Sequence, residues 1–265
     1  MQYSGNILKM QTSLDDKIQY FLPIGENKIF MNELIGRKIE FSFNGQINCI
    51  KCGRLTNKSF HQGYCFRCFR TAPETEECVL RPELCRAHEG IARDMEFAKN
   101  HCLKDHYVYL ALTSGLKVGV TRKTQIPTRW IDQGATEAII IAQTPNRYLA
   151  GVIEVNLKKY FADKTNWRKM LQNETVSGIN LTEEKEKAFN KVNVKLKEYF
   201  LKQSKITKLV FPVERYPEKI SSINFEKTNK YSGVLIGIKG QYLIFDDNKV
   251  LNIRKHNGFY MEINF

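Results

Sequence analysis

No run of the sequence comes near the roughly 20 consecutive apolar residues that a membrane-spanning helix needs; the longest clear one is "AIIIA" at 138–142. The opening "MQYSGNILKM" has no apolar stretch of the signal-peptide kind, so the expected setting is a reducing cytoplasm with no membrane partner. Long Gly/Ser linkers, low-complexity tracts and internal repeats are missing too, which argues for modules packed against one another rather than strung on tethers. Acidic residues are in deficit: 28 Asp and Glu stand against 41 Lys and Arg, leaving a formal net charge of +13. Residues 155–230 alone carry 17 basic and 9 acidic side chains and supply +8 of that excess. A basic excess gathered in one region suits a phosphate backbone, because each neutralised phosphate releases counterions. The same lysines would also serve as a solubilising surface, and composition leaves both readings open. With 42% hydrophobic and 26% charged residues, the chain has the balance of a folded protein rather than a disordered one.

Seven cysteines in a reducing compartment point to metal before disulfides. In "CIKCGRLTNKSFHQGYCFRC" the pairs Cys49-x2-Cys52 and Cys65-x2-Cys68 are separated by twelve residues. Each pair places two thiolates on one tight turn, and the arm between them brings the turns together around one tetrahedral ion. Gly53 and Gly63 flank the pairs where such turns call for positive φ. Four thiolates leave no position for substrate, so this zinc is expected to be structural. Cys78, Cys85 and Cys102 lie near His88, His101 and His106. A second zinc held by Cys78, Cys85, His88 and Cys102, or His101 in place of Cys102, stands beside the plainer reading of buried thiols.

Residues 1–48 read as β, with "KIQYFLPI" and "RKIEFSFNGQINCI" rich in Ile, Phe and Tyr and a hairpin turn expected at Asn44-Gly45. Helical segments are expected in "EGIARDMEFAKNHC", after Pro127, over "RYLAGVIEVNLKKYF" and from Thr182 to Tyr199. Between them "HYVYLALTSGLKVGVTR" reads as a hairpin across Ser114-Gly115, and "TEAIIIAQT" as a buried strand. From 206 onward the pattern returns to β, with turns at Lys239-Gly240 and Asn257-Gly258 and a small β-barrel or curled sheet as the outcome, joined by the N-terminal strands or separate from them. The expected class is α+β in three segments: a β and zinc-ribbon domain at 1–105, an α/β module with a basic helical extension at 106–204, and a C-terminal β domain at 205–265.

The run from 107 to about 170 resembles the GIY-YIG endonuclease superfamily. Tyr107-Val108-Tyr109 stands at the first motif, Lys117-Val118-Gly119 at the second, Arg129 at the helical arginine and Glu154 at the metal-binding glutamate. The glycine of the first motif is replaced, and Lys117 occupies the place of the second tyrosine. Over its length the chain also resembles the uncharacterised bacterial family called domain of unknown function 2797, through the zinc ribbon, "KVGVTR", "QIPTRWIDQGA" and "DKTNWRKML".

The superfamily resemblance implies phosphodiester hydrolysis. Glu154 would hold one Mg²⁺ or Mn²⁺. Tyr109, assisted by His106, would orient or deprotonate a water, while Arg129 faces the phosphate and Lys117 tunes Tyr109 or contacts the phosphate. Nucleic-acid contacts are expected at Arg122, Lys123, Lys158 and Arg168, with DNA and RNA equally open and no oligomeric state implied. Plainer roles exist for each residue: Tyr109 in a sheet core, Glu154 paired with Lys158 one helical turn on, Arg129 beside Asp132. The competing functional expectation is a DNA- or RNA-binding or ribosome-associated protein on a nuclease scaffold that no longer cuts.

Overall fold

The computed structural model describes residues 1–176, 178–203 and 205–265. The chain divides into two compact units: residues 1–70 together with 210–265, and residues 71–209. That division differs from three consecutive segments because the two ends of the chain share a sheet.

In the first unit, strands β1 (Gln2–Asn6), β2 (Gln11–Ser13), β3 (Gln19–Ile24), β4 (Asn27–Phe30) and β5 (Lys38–Ile47) precede the ribbon and helix α1 (Phe66–Thr71). The alternation seen in the sequence is used directly: Tyr20, Leu22 and Ile24 of β3 are buried while Gln19, Phe21 and Pro23 are half-buried. The small sheet runs β2-β3-β4.

The second unit holds α2 (Met95–His101), β6 (His106–Leu112), β7 (Leu116–Arg122), α3 (Thr128–Asp132), β8 (Glu137–Thr144), α4 (Arg147–Leu157), α5 (Trp167–Leu171), α6 (Leu181–Lys191) and β9 (Thr207–Lys208). Its sheet runs β7-β6-β8-β9, antiparallel throughout. Val108 and Leu110 of β6, Val118 of β7 and Ile139 and Ile141 of β8 form one core with Ile153 and Leu157 of α4 and Ala188 of α6. Tyr109 and Gly119, opposite one another across β6 and β7, alternate to the other face, where the Trp130 ring meets Tyr109 edge-on at 6.0 Å. The Asn146 side chain caps α4 by accepting from the Leu149 N–H, as its position before the apolar periodicity suggests. The helix expected to run to Tyr199 stops at Lys191. Asn193 caps a separate 3-10 turn, Val194–Tyr199, by accepting from the Lys195 N–H.

The first unit resumes with β10 (Ser221–Ser222), β11 (Lys230–Lys239), β12 (Tyr242–Phe245), β13 (Lys249–Asn252) and β14 (Phe259–Asn264). The large sheet runs β1-β14-β5-β11-β12-β13-β10. Among the described residues it is open, and no sheet closes into the barrel expected for the C-terminal segment: β1 and β10 stand at its two edges, β1 paired with β14 and β10 with β13. Two expected hairpins are absent for the same long-range reason. Asn44-Gly45 lies inside the ten-residue β5, where Gly45 at φ +90° accommodates a bulge against β14 between Phe259 and Met261. Asn257-Gly258 leads into β14, which pairs with β5 and β1 and not with β13. A Cβ on Gly258 would stand 2.1 Å from the Asn48 carbonyl oxygen, so a backbone crossing selects glycine there.

Gly119 of the second motif has a similar reason. A Cβ there would lie 2.6 Å from the hydroxyl of the fully buried Tyr109. Gly119→Ala is expected to lower the unfolding free energy by about 1–3 kcal/mol through overpacking, read as a shifted urea midpoint at constant slope. An unchanged midpoint would show that the ring moves aside freely.

Candidate functional site

The first unit carries the four-cysteine group. Asn48 and Leu55 form an isolated antiparallel bridge that closes the first knuckle, in which the Gly53 N–H donates to the Cys49 carbonyl at 2.8 Å and Gly53 takes φ +72°. Phe60 and Tyr64 bridge likewise before Cys65, and Cys68 sits on α1. The ligand atoms of Cys49, Cys52, Cys65 and Cys68 all lie within 4.8 Å of one another, with Cys52 Sγ and Cys65 Sγ 3.9 Å apart. A tetrahedral ion with Zn–S bonds of about 2.3 Å asks for sulfurs about 3.8 Å apart. Burial pushes the Cys49 thiol up, but hydrogen bonds from the backbone of Cys65, Cys52 and Lys51 outweigh it and bring it down to about 6. The ligand set read from spacing is therefore assembled as a site that can hold zinc.

A second thiol group lies in the other unit. Cys78 comes from the 3-10 turn Glu77–Val79, Cys85 follows the turn Pro82–Leu84, and Cys102 caps α2. All three are buried and their sulfurs lie within 4.8 Å of one another, so they too can hold a metal. No disulfide is formed by any of the seven cysteines. The expected partner His88 is not part of this group: its ring stacks on Tyr148 at 4.4 Å and its Nε2 is 3.8 Å from a Glu89 carboxylate oxygen. His101 is turned to Phe97, on which it stacks at 3.7 Å while its Nδ1 bonds the Phe97 carbonyl.

Four of the residues singled out from the hairpin and its following helices do come together. The Tyr109 hydroxyl lies 2.8–3.1 Å from the Gln133 side-chain amide, and the Arg129 charge acts on it. Burial raises its pKa, against the Arg129 charge and these hydrogen bonds. Lys117, on the same face as Tyr109 by alternation, is buried and feels Arg129, Glu154, Asp163 and Lys158. Glu154 is buried on α4, one turn before Lys158, whose Nζ is 3.6 Å from Glu154 and 3.5 Å from Asp163. Burial raises the Glu154 pKa, with Glu83 and Asp163 adding to the rise and Lys158 and Lys117 opposing it. A cation beside this carboxylate would offset the cost of its charge.

Burial, with Arg129, lowers Lys117 from 10.5 to about 8 despite Glu154 and Asp163. A lowered folded-state pKa means that the unfolded chain binds more protons between the two values. Stability therefore rises as pH climbs from about 8 toward 10.5. Lys117→Met is expected to stabilise the fold at pH 7 by about 1–3 kcal/mol, and the difference from wild type should close as pH approaches 10.5. A pH-independent difference in denaturation midpoints would sink this account.

His106 is three residues from Tyr109 on β6 and alternates to the opposite face, away from the hydroxyl it was expected to assist. Burial first, then Arg147 and Arg122, hold its imidazole down to about 4, although its hydrogen bond to the Lys104 carbonyl and the Cys85 charge oppose this. Arg122, half-buried, lines a cleft with His106, Arg129 and Arg147. It also lines a neighbouring groove with Lys104 and Lys123. Lys123 is exposed and 3.9 Å from Asp105, and the exposed Arg168 lies over the Trp167 ring at 4.3 Å.

Three contributors escaped the sequence reading. Gln133 follows α3 in "QIPTRWIDQGA", and no local pattern marks it as the partner of Tyr109. Asp163 follows α4 and reaches Lys158 only because residues 162–163 fold back, Ala162 bridging to Lys117. Glu83 comes near Glu154 because Gly151 on α4 has no side chain, a Cβ there lying 2.2 Å from the Glu83 nitrogen. The run of charged residues in 81–89 carried no signal separating Glu83 from its neighbours.

Among the described residues no helix is long and apolar enough to cross a membrane. A family described as "Protein of unknown function (DUF2797)" matches residues 36–261. No curated protein matches the chain, and no solved structure does.

Proposed function

From the premise that the chain belongs to the DUF2797 family over residues 36–261, whose description assigns no activity, we propose that it is a nucleic-acid-binding protein with a GIY-YIG-like, divalent-metal-dependent phosphodiester-hydrolysing site. One observation carries the reading: Tyr109, Lys117, Arg129 and Glu154, drawn from two strands and two helices, act on one another in one partly buried cluster. Glu154, next to Glu83 and Asp163, would hold one Mg²⁺ or Mn²⁺ through a carboxylate and leave other positions to water and phosphate oxygens. Arg129 and Lys117 would neutralise charge developing on the phosphate, and Tyr109 would orient the attacking water through its hydroxyl. Arg122, Lys123, Lys158 and Arg168 would follow the backbone. The zinc ribbon would hold its unit's fold and take no part in chemistry.

The total burial of Tyr109, whose hydroxyl is engaged by Gln133, favours a second reading: a scaffold that holds DNA or RNA without cutting it. Labelled single- and double-stranded DNA and RNA, incubated with zinc-loaded protein and Mg²⁺, Mn²⁺ or EDTA, separate the two. Divalent-dependent products support hydrolysis. Salt-sensitive binding without products supports the scaffold, and neither binding nor cleavage overturns both.

A further inference from the structure

The second thiol group supplies three sulfurs where a structural zinc takes four ligands. The two histidines nearest in sequence are engaged elsewhere, His88 on Tyr148 and His101 on Phe97. His106 is different: it is buried, and its Nε2 has no hydrogen-bond partner. Its Nδ1 is 2.7 Å from the Lys104 carbonyl oxygen. A carbonyl only accepts, so Nδ1 carries the proton and Nε2 the lone pair. Backbone carbonyls hold metal-ligating imidazoles in this tautomer, whereas an orphaned buried acceptor is otherwise a net cost.

We propose that His106 is the fourth ligand of a mononuclear Cys3His zinc site completed by Cys78, Cys85 and Cys102. Cys102 ends α2 and His106 opens β6, so a Cys-x3-His step spans one turn of chain. Zinc with three thiolates and a neutral imidazole carries one net negative charge. Arg147 stands beside it, its backbone N–H donating to the Cys102 carbonyl at 2.8 Å and its Nη1 to the Cys78 carbonyl at 3.3 Å. Nε2 stands outside the 4.8 Å grouping of the sulfurs, so the bound ion, with a Zn–N bond of about 2.0–2.1 Å, draws the imidazole and sulfurs closer together. The site ties the start of β6 to the 78–85 loop and thereby steadies the strand that carries Tyr109. It stands whether or not the protein cleaves phosphodiesters.

The test is metal content and X-ray absorption of the full chain, with long-range ¹H–¹⁵N spectra of the histidines. Wild type should hold two zinc ions per chain, sharing seven sulfur neighbours and one nitrogen, and the His106 Nε2 resonance should show metal ligation. His106→Ala should weaken retention of one ion by about 10–100-fold or more, while His88→Ala and His101→Ala keep both. His106→Cys should restore two ions with all-sulfur shells. One ion in wild type, nitrogen ligation assigned to another histidine, or an unligated His106 Nε2 would overturn the proposal. The wild-type spectra decide it even where His106→Ala fails to fold.

Discussion

On the proposed hydrolytic reading, Glu154→Gln is expected to lower divalent-dependent phosphodiester cleavage by about 100-fold or more, the scale on which loss of one charge-stabilising group acts. The carboxylate is buried and its pKa raised by that burial, with Glu83 and Asp163 adding to the rise. Its ionised form is therefore held at a cost that a bound cation would offset. The amide keeps the shape and removes the charge, so the metal-free variant should be as stable as wild type or more so. The 3.6 Å pairing with Lys158 does not reverse this, because Lys158 retains Asp163 at 3.5 Å. The paired readings are initial rate against Mg²⁺ or Mn²⁺ concentration and the thermal unfolding midpoint. Cleavage at the wild-type rate would remove Glu154 from the chemistry. Loss of cleavage together with loss of stability would mark it as a structural residue.

The second large effect lies in the other unit. Cys52→Ser is expected to release one zinc ion per chain and unfold the ribbon from Cys49 to Cys68, because structural zinc contributes apparent free energies of about 10–16 kcal/mol in small zinc modules. Cys52 is the most exposed of the four cysteines, so its replacement removes little packing and isolates the metal contribution. The ribbon is tied to the large sheet by the Asn48 N–H to the Gly258 carbonyl, the Thr56 N–H to the Ile47 carbonyl, and the Asn257 amide to the Gln62 carbonyl. Hydrogen exchange should rise along 48–68 and at the β5 and β14 positions that face it. Zinc content by elemental analysis and exchange by mass spectrometry check this together. Full zinc retention in Cys52→Ser would show that the four thiols are not the ligand set.

Several features were legible because they depend on residues close in sequence. Paired Cys-x2-Cys motifs with glycines beside them form knuckles whatever surrounds them. The β6–β7 hairpin follows from two apolar runs around Ser114-Gly115, and the start of α4 from Asn146 before a helical apolar period. Cys102, by contrast, is joined to Cys78 and Cys85 across a 3-10 turn, Ala87–Glu89, and helix α2. Spacing suggested His88 as its companion, but the Cys85-x2-His88 step closes on Tyr148.

What the amino-acid sequence determined alone is the β6–β7 hairpin, the start of α4, the grouping of Cys49, Cys52, Cys65 and Cys68, and the order of Tyr109, Lys117, Arg129 and Glu154 along the chain. Tertiary structure decided the rest. It joined β1 to β14 and so put both chain ends in one open sheet, and turned two Asn-Gly pairs from hairpins into a bulge and a strand entry. It also added Gln133, Asp163 and Glu83 to the cluster. The physical reason is that turn and ligand spacing are set by bond geometry over a few residues. Strand partners, burial and charge neighbours depend instead on which distant surfaces exclude water together, and in those choices a glycine such as Gly151 or Gly258 matters for the backbone that approaches it.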